Sequence, residues 1–200
     1  MAIRIQAKLN RPELLRFMNA IDEKTLRKVV SRSLNRTGIT IRKEAAQRIQ
    51  KKIKLPSKDI KDALPIRNKP KASEPIDSQE FTIAASAKGI SLSKFKPQQV
   101  AAGVSVNITG KRQVIRHAFL MKKRTESGRY PVMRRVKVRD PNTQSRRSDK
   151  GAELPIEKQA YKSIASILPE ITDQLAPIAE ERFATEFERN YKYLTQRGGS

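Results

Sequence analysis

The chain has 200 residues, of which 37 % are hydrophobic and 32 % charged, and its formal net charge is +23. Self-repulsion at this charge destabilises a compact monomer unless something neutralises it, so the composition predicts contact with a polyanion or an acidic partner surface. The absence of cysteine excludes disulfides and thiolate metal sites, and a single histidine excludes a His-pair metal site within one chain.

The N-terminal stretch predicts a strand followed by a helix. Hydrophobic and polar residues alternate over residues 2–9, which is typical of a strand, and Asn10 can cap a helix with Pro12 in its first turn. This stretch has no continuous apolar signal core, and the chain has no run of 18 apolar residues. We therefore expect neither secretory export nor a membrane-spanning helix.

A second, long helix is predicted after Asp22, which can cap its N-terminus. Apolar residues recur at near-helical spacing from Leu26 to Ile53, with Gly38 as a weak point that predicts a bend. The opposite side of this helix is rich in lysine and arginine. Two interpretations of that side stay open: a solvated surface, or a contact with nucleic acid or a partner protein.

Short elements are predicted after Pro56 ends the long helix. Ser57 can cap a helix over residues 58–64, and the proline-containing residues 65–79 predict an irregular crossing segment. Residues 81–86 and 90–93 then predict two strands of a hairpin.

Residues 103–121, GVSVNITGKRQVIRHAFLM, predict a second hairpin. Its first strand alternates, and Gly110 supplies the positive φ that the turn needs. The return strand over residues 113–121 has apolar residues on both faces, which is typical of a central strand. His117 lies in this strand, and we interpret it as a packed or hydrogen-bonded structural residue.

Residues 122–150 predict a long basic loop, with an extended arm around residues 132–138. Thirteen basic residues between positions 111 and 147 stand against two acids, Glu126 and Asp140. Phosphate contact needs charge and reach but no fixed spacing, whereas few aromatic residues are present for base stacking. Sequence-independent contact with nucleic acid and docking on an acidic protein neighbour both fit this pattern. The candidate contact residues are Lys111, Arg112, Lys122, Lys123, Arg124, Arg129, Arg134, Arg135, Lys137, Arg139, Arg146 and Arg147.

The C-terminal part predicts a short edge strand over residues 154–156 and a helical region opened by Ser163 or a neighbour, with breaks or kinks at Pro169 and Pro177. Residues 170–197 contain six acids and four bases, a net charge of −2 against +25 for the rest of the chain. This asymmetry favours contact between the last helix and a basic surface, within the chain or on a neighbouring copy. The candidate oligomer-interface residues are Phe183, Phe187, Tyr191 and Leu194.

These elements predict an α+β fold in which an antiparallel sheet of four to five strands is packed by a long N-terminal helix. The expected domain covers residues 1–168, including the basic loop, and a helical extension covers residues 169–200. No catalytic constellation and no phosphate-binding glycine loop occur, so we expect no enzyme activity, no cofactor, no metal and no small-molecule substrate.

Two blocks of sequence carry a resemblance to a known family. One is the GVSV strand followed by a Lys/Arg-rich turn and Ala118-Phe119, and the other is Leu154-Pro155-Ile156 followed by a helix that starts at Ser163-Ile164. In this order, with a long basic N-terminal helix before them and a long helix after them, the chain resembles the minor tail protein Z family of long-tailed phages, also called tail completion proteins.

The resemblance implies a structural virion component at the head–tail junction. Such a protein is assembled in the host cytoplasm, helps to close the tail, and holds or positions the DNA end. The implied partners are further copies in a ring, other tail and head–tail connector proteins, and the end of the packaged DNA, with no membrane. The alternative is a sequence-independent nucleic-acid-binding protein that is not part of a virion.

Overall fold

The computed structural model describes residues 2–6, 22–122, 124–125, 128–135 and 156–197. The chain mixes helices with strands and ends in a long helix, as the sequence predicts, and its strands form several small antiparallel sheets. The helices are α1 (Glu23–Lys52), α2 (Ser57–Asp62), α3 (Ile164–Ile167) and α4 (Pro169–Arg197), with 3-10 turns at Ile76–Ser78 and Leu92–Lys94. The strands are β1 (Ala2–Gln6), β2 (Ile66–Asn68), β3 (Glu80–Ala84), β4 (Gly89–Ser91), β5 (Gln98–Val100), β6 (Gly103–Asn107), β7 (Arg112–Arg116), β8 (Ala118–Leu120), β9 (Val132–Arg135), β10 (Ile156–Lys158) and β11 (Ala160–Ser163).

The expected sheet of four to five strands is not confirmed. Within the described ranges the strands form sheets in the orders β1-β3-β2, β5-β6-β7, β8-β9-β10 and β4-β11, and every ladder is antiparallel. The predicted hairpin of β3 and β4 is wrong because β1 and β2 already occupy both edges of β3. Of the predicted N-terminal elements, residues 2–6 form β1, and residues 7–21 lie outside the described residues.

The chain divides into two compact units. Unit 1 comprises Met1–Lys51, Pro56–Ala87 and Ile164–Ser200, and unit 2 comprises Lys52–Leu55 and Lys88–Ser163. This division by packing does not test the predicted boundary between residues 168 and 169, which stays a prediction. In the described part of the chain, no helix combines the length and the apolar content that crossing a membrane requires.

Helix α1 is the longest element of unit 1 and begins where the sequence predicts. The backbone N–H of Thr25 donates a hydrogen bond to Asp22 Oδ2 at 3.0 Å, which satisfies one of the free donors at the helix N-terminus. The helix continues through Gly38, beside which β3 places the fully buried ring of Phe81. The apolar stripe of α1 is buried, as its spacing predicts, and includes Leu26, Val29, Val30, Leu34, Ile41, Ala45 and Ile49.

The connection after α1 is more regular than the sequence predicts. Pro56, rather than Ser57, occupies the position that precedes α2, and it provides no side-chain hydrogen bond to cap the N-terminus of this helix. Its C-terminal end is closed by Arg42, whose Nε donates to Leu64 O at 2.8 Å and whose Nη2 donates to Lys61 O at 2.6 Å. The segment over residues 65–79 contains β2 and a 3-10 turn in place of a wholly irregular path.

The two prolines of the C-terminal region have different effects. Pro169 is the first residue of α4, where a backbone N–H would have no partner within the helix, so proline is well tolerated. The predicted break at Pro169 is confirmed. Pro177 lies inside α4, which continues on both sides of it. Predicted apolar positions of this region are buried in unit 1: Ile164, Ile167, Leu168, Ile171 and Leu175.

The hairpin of β6 and β7 lies in unit 2, and its turn is the one that the sequence predicts. Gly110 has φ +102°, and Val104 of β6 is paired with Ile115 of β7. Gly103 has φ +149°, and a Cβ on this residue would lie less than 3.0 Å from the carbonyl oxygen of Ile115. The glycine that opens the GVSV strand is therefore required for β6 to approach β7.

The predicted central strand over residues 113–121 is wrong. The chain turns at His117, which has φ +61°, so that β7 ends at Arg116 and β8 pairs with β9 in a different sheet. β7 is an edge strand in which only Ile115 is even half-buried. His117 is exposed at this turn, so its predicted packing is wrong, and its backbone N–H donates a hydrogen bond to Ala102 O at 3.2 Å. Ile156 begins the edge strand β10, as predicted, and residues 154–155 lie outside the described residues.

Candidate nucleic-acid interface

The positive charge of the chain is concentrated in unit 2. This unit contains 21 basic and 5 acidic residues, a net charge of +16, whereas unit 1 contains 22 basic and 15 acidic residues, a net charge of +7. Unit 2 is also the smaller unit, so its charge density is more than twice that of unit 1. A field of this strength attracts polyanions and raises their association rate.

Seven of the twelve predicted contact residues lie in the described part of unit 2. Six of these are exposed, and Arg129 is half-buried. The exposed ones are Lys111, Arg112, Lys122, Arg124, Arg134 and Arg135. The other five predicted contact residues, Lys123, Lys137, Arg139, Arg146 and Arg147, lie outside the described residues.

The β6–β7 hairpin presents part of this charge on strand β7. Because side chains alternate along a strand, Arg112, Val114 and Arg116 share one side of β7, and all three are exposed. Arg112 Nη2 donates to the carbonyl oxygen of Lys96 at 3.2 Å, which restricts that guanidinium. Arg116 makes no ion pair with a described residue, so its full charge is available to an external anion.

Lys54 is a basic neighbour of this hairpin that the sequence analysis missed. Its backbone N–H donates to Ile108 O at 2.7 Å, and its Cε lies 3.5 Å from the position that a Cβ would take at Gly110. Nothing in the local sequence signals this placement, because more than 50 residues separate Lys54 from the turn. The contact joins residues 52–55 to the basic surface of unit 2.

The start of the basic loop is a hydrogen-bonded turn. Thr125 N–H donates to Arg129 O at 2.8 Å, and Gly128 N–H donates to Thr125 O at 2.8 Å. The guanidinium of Arg124 lies 5.0 Å from the centroid of the Tyr130 ring, a distance at which the cation and the ring attract each other. The turn therefore holds Arg124 in a restricted orientation while leaving it exposed.

Strand β9 carries Arg134 and Arg135 on opposite sides of a three-stranded sheet. Glu157 of β10 is the cross-strand neighbour of Arg134, and Ile156 is the neighbour of Arg135. Both arginines are exposed, and neither forms an ion pair with a described residue. Lys122 is likewise exposed and without an ion pair in the described ranges. These side chains can contact phosphate without first losing an intramolecular partner.

The predicted oligomer-interface residues form a row of rings along α4. The ring centroids of Phe183 and Phe187 are 6.0 Å apart, and those of Phe187 and Tyr191 are 6.5 Å apart. Phe187 is only 5 % exposed, whereas Phe183, Tyr191 and Leu194 are half-buried. Phe187 therefore offers little surface to another copy, and the role of the row as an interface stays a prediction.

Helix α4 forms an ion pair and a hydrogen bond with basic residues of α1 in its own chain, whereas contact with a neighbouring copy stays a prediction. Arg36 Nη1 of α1 lies 3.3 Å from Glu186 Oε2, and Arg189 Nη1 lies 4.0 Å from Glu186 Oε1. Arg48 of α1 also donates a hydrogen bond to Gln174. Part of the basic side of α1 is therefore used for packing inside unit 1.

The described contact residues are all lysines and arginines, which supply positive charge and hydrogen-bond donors. In the ranges that the structure describes, no three His, Cys, Asp or Glu side chains come together to form a metal site. Comparison of the chain with protein-family models, with curated protein sequences and with solved structures finds no match.

Proposed function

We propose that the chain is a non-enzymatic structural protein that completes the tail of a long-tailed phage and acts at the head–tail junction. The observation that carries the proposal is the net charge of +16 on unit 2, together with exposed lysines and arginines that form no ion pairs with described residues. The two sequence blocks that resemble minor tail protein Z support the same function. In this role unit 2 contacts the end of the packaged DNA or an adjoining ring.

A ring of copies around DNA gives a reason for the high net charge, which would destabilise a free monomer by self-repulsion. Several copies around a channel multiply the positive potential and attract DNA into the channel, while the DNA or an acidic neighbour neutralises their mutual repulsion. The exposed edge strand β7 also offers free backbone groups with which a neighbouring protein can pair. Other tail and connector proteins are the expected neighbours of the ring.

The second candidate function is sequence-independent nucleic-acid binding outside a virion. The same exposed basic side chains, Arg134 and Arg135 among them, favour this second function, because phosphate contacts position a protein on nucleic acid without reading its sequence. This alternative requires tight binding of bulk DNA or RNA by the isolated monomer, with a steep dependence on salt. Light scattering with and without DNA and tail proteins separates the two: a tail protein assembles into a larger species with its tail partners.

The decisive test is electron microscopy of particles assembled without this chain. We expect tails that fail to join filled heads, or joined particles that have lost DNA. Complementation with Arg134→Gln/Arg135→Gln should restore assembly poorly, whereas the control Lys43→Gln/Arg182→Gln, which removes two exposed charges from unit 1, should restore it fully. Normal tails on heads that retain their DNA, in the absence of the chain, would contradict the proposal.

A further inference from the structure

Unit 1 contains an open cleft of about 510 Å³ between α1 and α4, and none of the predicted contact residues lines it. Its volume lies in the range of small-molecule sites, which is about 300–1,000 Å³. Three of its six lining residues are arginines, one more is a tyrosine, and two are asparagines. The lining residues are Arg32, Asn35, Arg36, Arg189, Asn190 and Tyr193.

The cleft has an excess of positive charge. Arg36 and Arg189 both contact one carboxylate, that of Glu186, whose side chain is 20 % exposed. The two arginine side chains are 50 % and 70 % exposed, so much of each guanidinium still faces solvent. Arg32 is exposed and forms no hydrogen bond or ion pair with a described residue. Three guanidinium groups against one carboxylate leave a local charge of +2, which an anion would neutralise.

Asn190 and Asn35 line the cleft and are held in place by hydrogen bonds. Asn190 is only 4 % exposed, and its Nδ2 donates to Ser33 Oγ at 3.1 Å and to Glu186 O at 2.7 Å. Asn35 Nδ2 donates to Ser31 O at 2.9 Å. Because these amide donors are already used, the arginines are left as the donors for a ligand, and they stand on a framework that ties α1 to α4.

We propose that this cleft binds the phosphate group of a nucleotide, either free or within a single-stranded nucleic acid. A guanidinium is planar and donates two parallel hydrogen bonds to phosphate, so Arg32 and Arg189 together suit this group. The cleft is larger than a phosphate ion, and the ring of Tyr193, which is 45 % exposed, provides a surface on which a base can stack. The site lies in unit 1 and does not depend on the proposed role of unit 2.

Calorimetric titration of the full chain with inorganic phosphate, a nucleoside monophosphate and a short single-stranded oligonucleotide tests the proposal at constant ionic strength. In Arg32→Gln/Arg189→Gln we expect affinity for inorganic phosphate and for the nucleoside monophosphate to fall by at least about tenfold, the effect of losing charge-assisted hydrogen bonds. The oligonucleotide should lose less affinity, because the lysines and arginines of unit 2 also bind it. The control Lys43→Gln/Arg182→Gln removes the same charge from α1 and α4 outside the cleft and should stay within about twofold of the wild type, as expected of surface substitutions.

Two further variants show which feature of the cleft is used. Tyr193→Ala should abolish the preference for the nucleoside monophosphate over inorganic phosphate, because it removes the stacking surface. Arg32→Lys keeps the charge but loses the planar donor pair, so it should also weaken binding. The unit 2 variant Arg134→Gln/Arg135→Gln should leave nucleoside monophosphate binding unchanged, which separates failure of this inference from failure of the proposed function.

Three results would overturn the inference. Equal losses in Arg32→Gln/Arg189→Gln and in its control would mean that only net charge matters. Absence of heat when the wild type is titrated with inorganic phosphate and with the nucleoside monophosphate would mean that the cleft binds no phosphate. Tighter binding of a glutamate-rich peptide than of the nucleoside monophosphate, with the peptide affinity lost in Arg32→Gln/Arg189→Gln and kept in its control, would mean that the arginines bind an acidic protein segment.

Discussion

Gly38 of α1 lies against the ring of Phe81 in β3 so closely that no side chain fits between them. A Cβ on residue 38 would lie less than 3.0 Å from three carbons of the Phe81 ring: Cγ, Cδ1 and Cε1. Phe81 is fully buried, so its ring has no solvent-filled space into which it can move. The glycine that looked like a weak point of the helix therefore sets how closely α1 approaches the β1-β3-β2 sheet.

Gly38→Ala is expected to destabilise the chain. Overpacking costs about 1–3 kcal/mol in a well-packed core, which exceeds the gain of up to about 1 kcal/mol from the better helix propensity of alanine. Urea denaturation followed by circular dichroism measures the difference. Ile39→Ala, at a 57 % exposed neighbouring position, serves as the control and should change stability little.

A double variant tests the cause of this destabilisation. Gly38→Ala/Phe81→Leu should be less destabilised than the sum of its two single variants, because the smaller Leu side chain makes room for the new methyl group. If Gly38→Ala is as stable as the wild type, the close packing of Gly38 and Phe81 does not occur.

The two glycines of the β6–β7 hairpin are expected to differ in their sensitivity to alanine. Gly103→Ala combines a positive φ with a collision against Ile115 O, whereas Gly110→Ala meets nothing closer than Lys54 Cε at 3.5 Å. Gly110→Ala should therefore cost about 1–2 kcal/mol of backbone strain, and Gly103→Ala should cost more because β6 must also move away from β7. Thermal denaturation of both variants checks this order, and a larger loss for Gly110→Ala would contradict it.

The helices and one hairpin could be predicted because their signals are local. The apolar stripe from Leu26 onwards, the cap at Asp22 and the turn at Gly110 are each encoded within a few neighbouring residues. These signals depend only on the period of the helix or strand and on the φ that a turn requires. The start of α4 at Pro169 belongs to the same class.

The strand partners could not be predicted because they are chosen over long distances in sequence. β3 pairs with β1, about 80 residues earlier, so the strand that follows it in sequence has no free edge to join. The chain leaves the strand conformation at His117 because this residue has a positive φ, and the residue type does not signal that φ. The candidate interface was located by charge, but the inclusion of Lys54 in unit 2 and the arginine cleft of unit 1 depend on tertiary packing.

The buried amide of Asn190 is expected to contribute more to stability than the ion pair of Arg36 and Glu186. Asn190→Ala removes two hydrogen bonds and leaves Ser33 and Glu186 O with fewer partners in a buried site, which should cost about 1–3 kcal/mol. Arg36→Gln breaks an ion pair whose arginine is half-exposed, and such pairs contribute about 0–1 kcal/mol. Urea denaturation of the two variants gives the comparison, and a greater loss in Arg36→Gln would contradict this ranking.

The cap of α1 should make stability depend on pH in the acid range. Hydrogen bonds from the side chain and then the backbone N–H of Thr25 hold the pKa of the Asp22 carboxyl below its usual value. A carboxyl whose pKa is lower in the folded chain stabilises it above the unfolded-state pKa of about 3.9, and this stabilisation is lost as the pH falls through the folded-state pKa.

Asp22→Asn isolates this effect because asparagine also caps helices but carries no titrating charge. The wild type should be more stable than Asp22→Asn at pH 7, since a negative charge at a helix N-terminus is favourable, and the difference should shrink below about pH 4. Thermal denaturation at a series of pH values measures it. Asp77→Asn, at an exposed position that accepts no hydrogen bond from a described residue, is the control and should show no such trend.

Arg134→Gln/Arg135→Gln should weaken DNA binding without unfolding the chain. Glutamine is preferable to glutamate here because Glu157 is the cross-strand neighbour of Arg134, and two acids at paired positions would destabilise the sheet. Both arginines are exposed and make no ion pair with a described residue, so the melting temperature should be nearly unchanged.

Fluorescence anisotropy with a DNA duplex over a range of salt concentrations provides the measurement for this variant. If both arginines contact phosphate, the slope of log K against log salt should become shallower by about 2. The reason is that binding releases about one counterion for each phosphate contact, and the variant makes two contacts fewer. Lys43→Gln/Arg182→Gln carries the same change in net charge in unit 1 and should retain the wild-type slope. Equal slopes for all three proteins would show that Arg134 and Arg135 do not contact the DNA backbone.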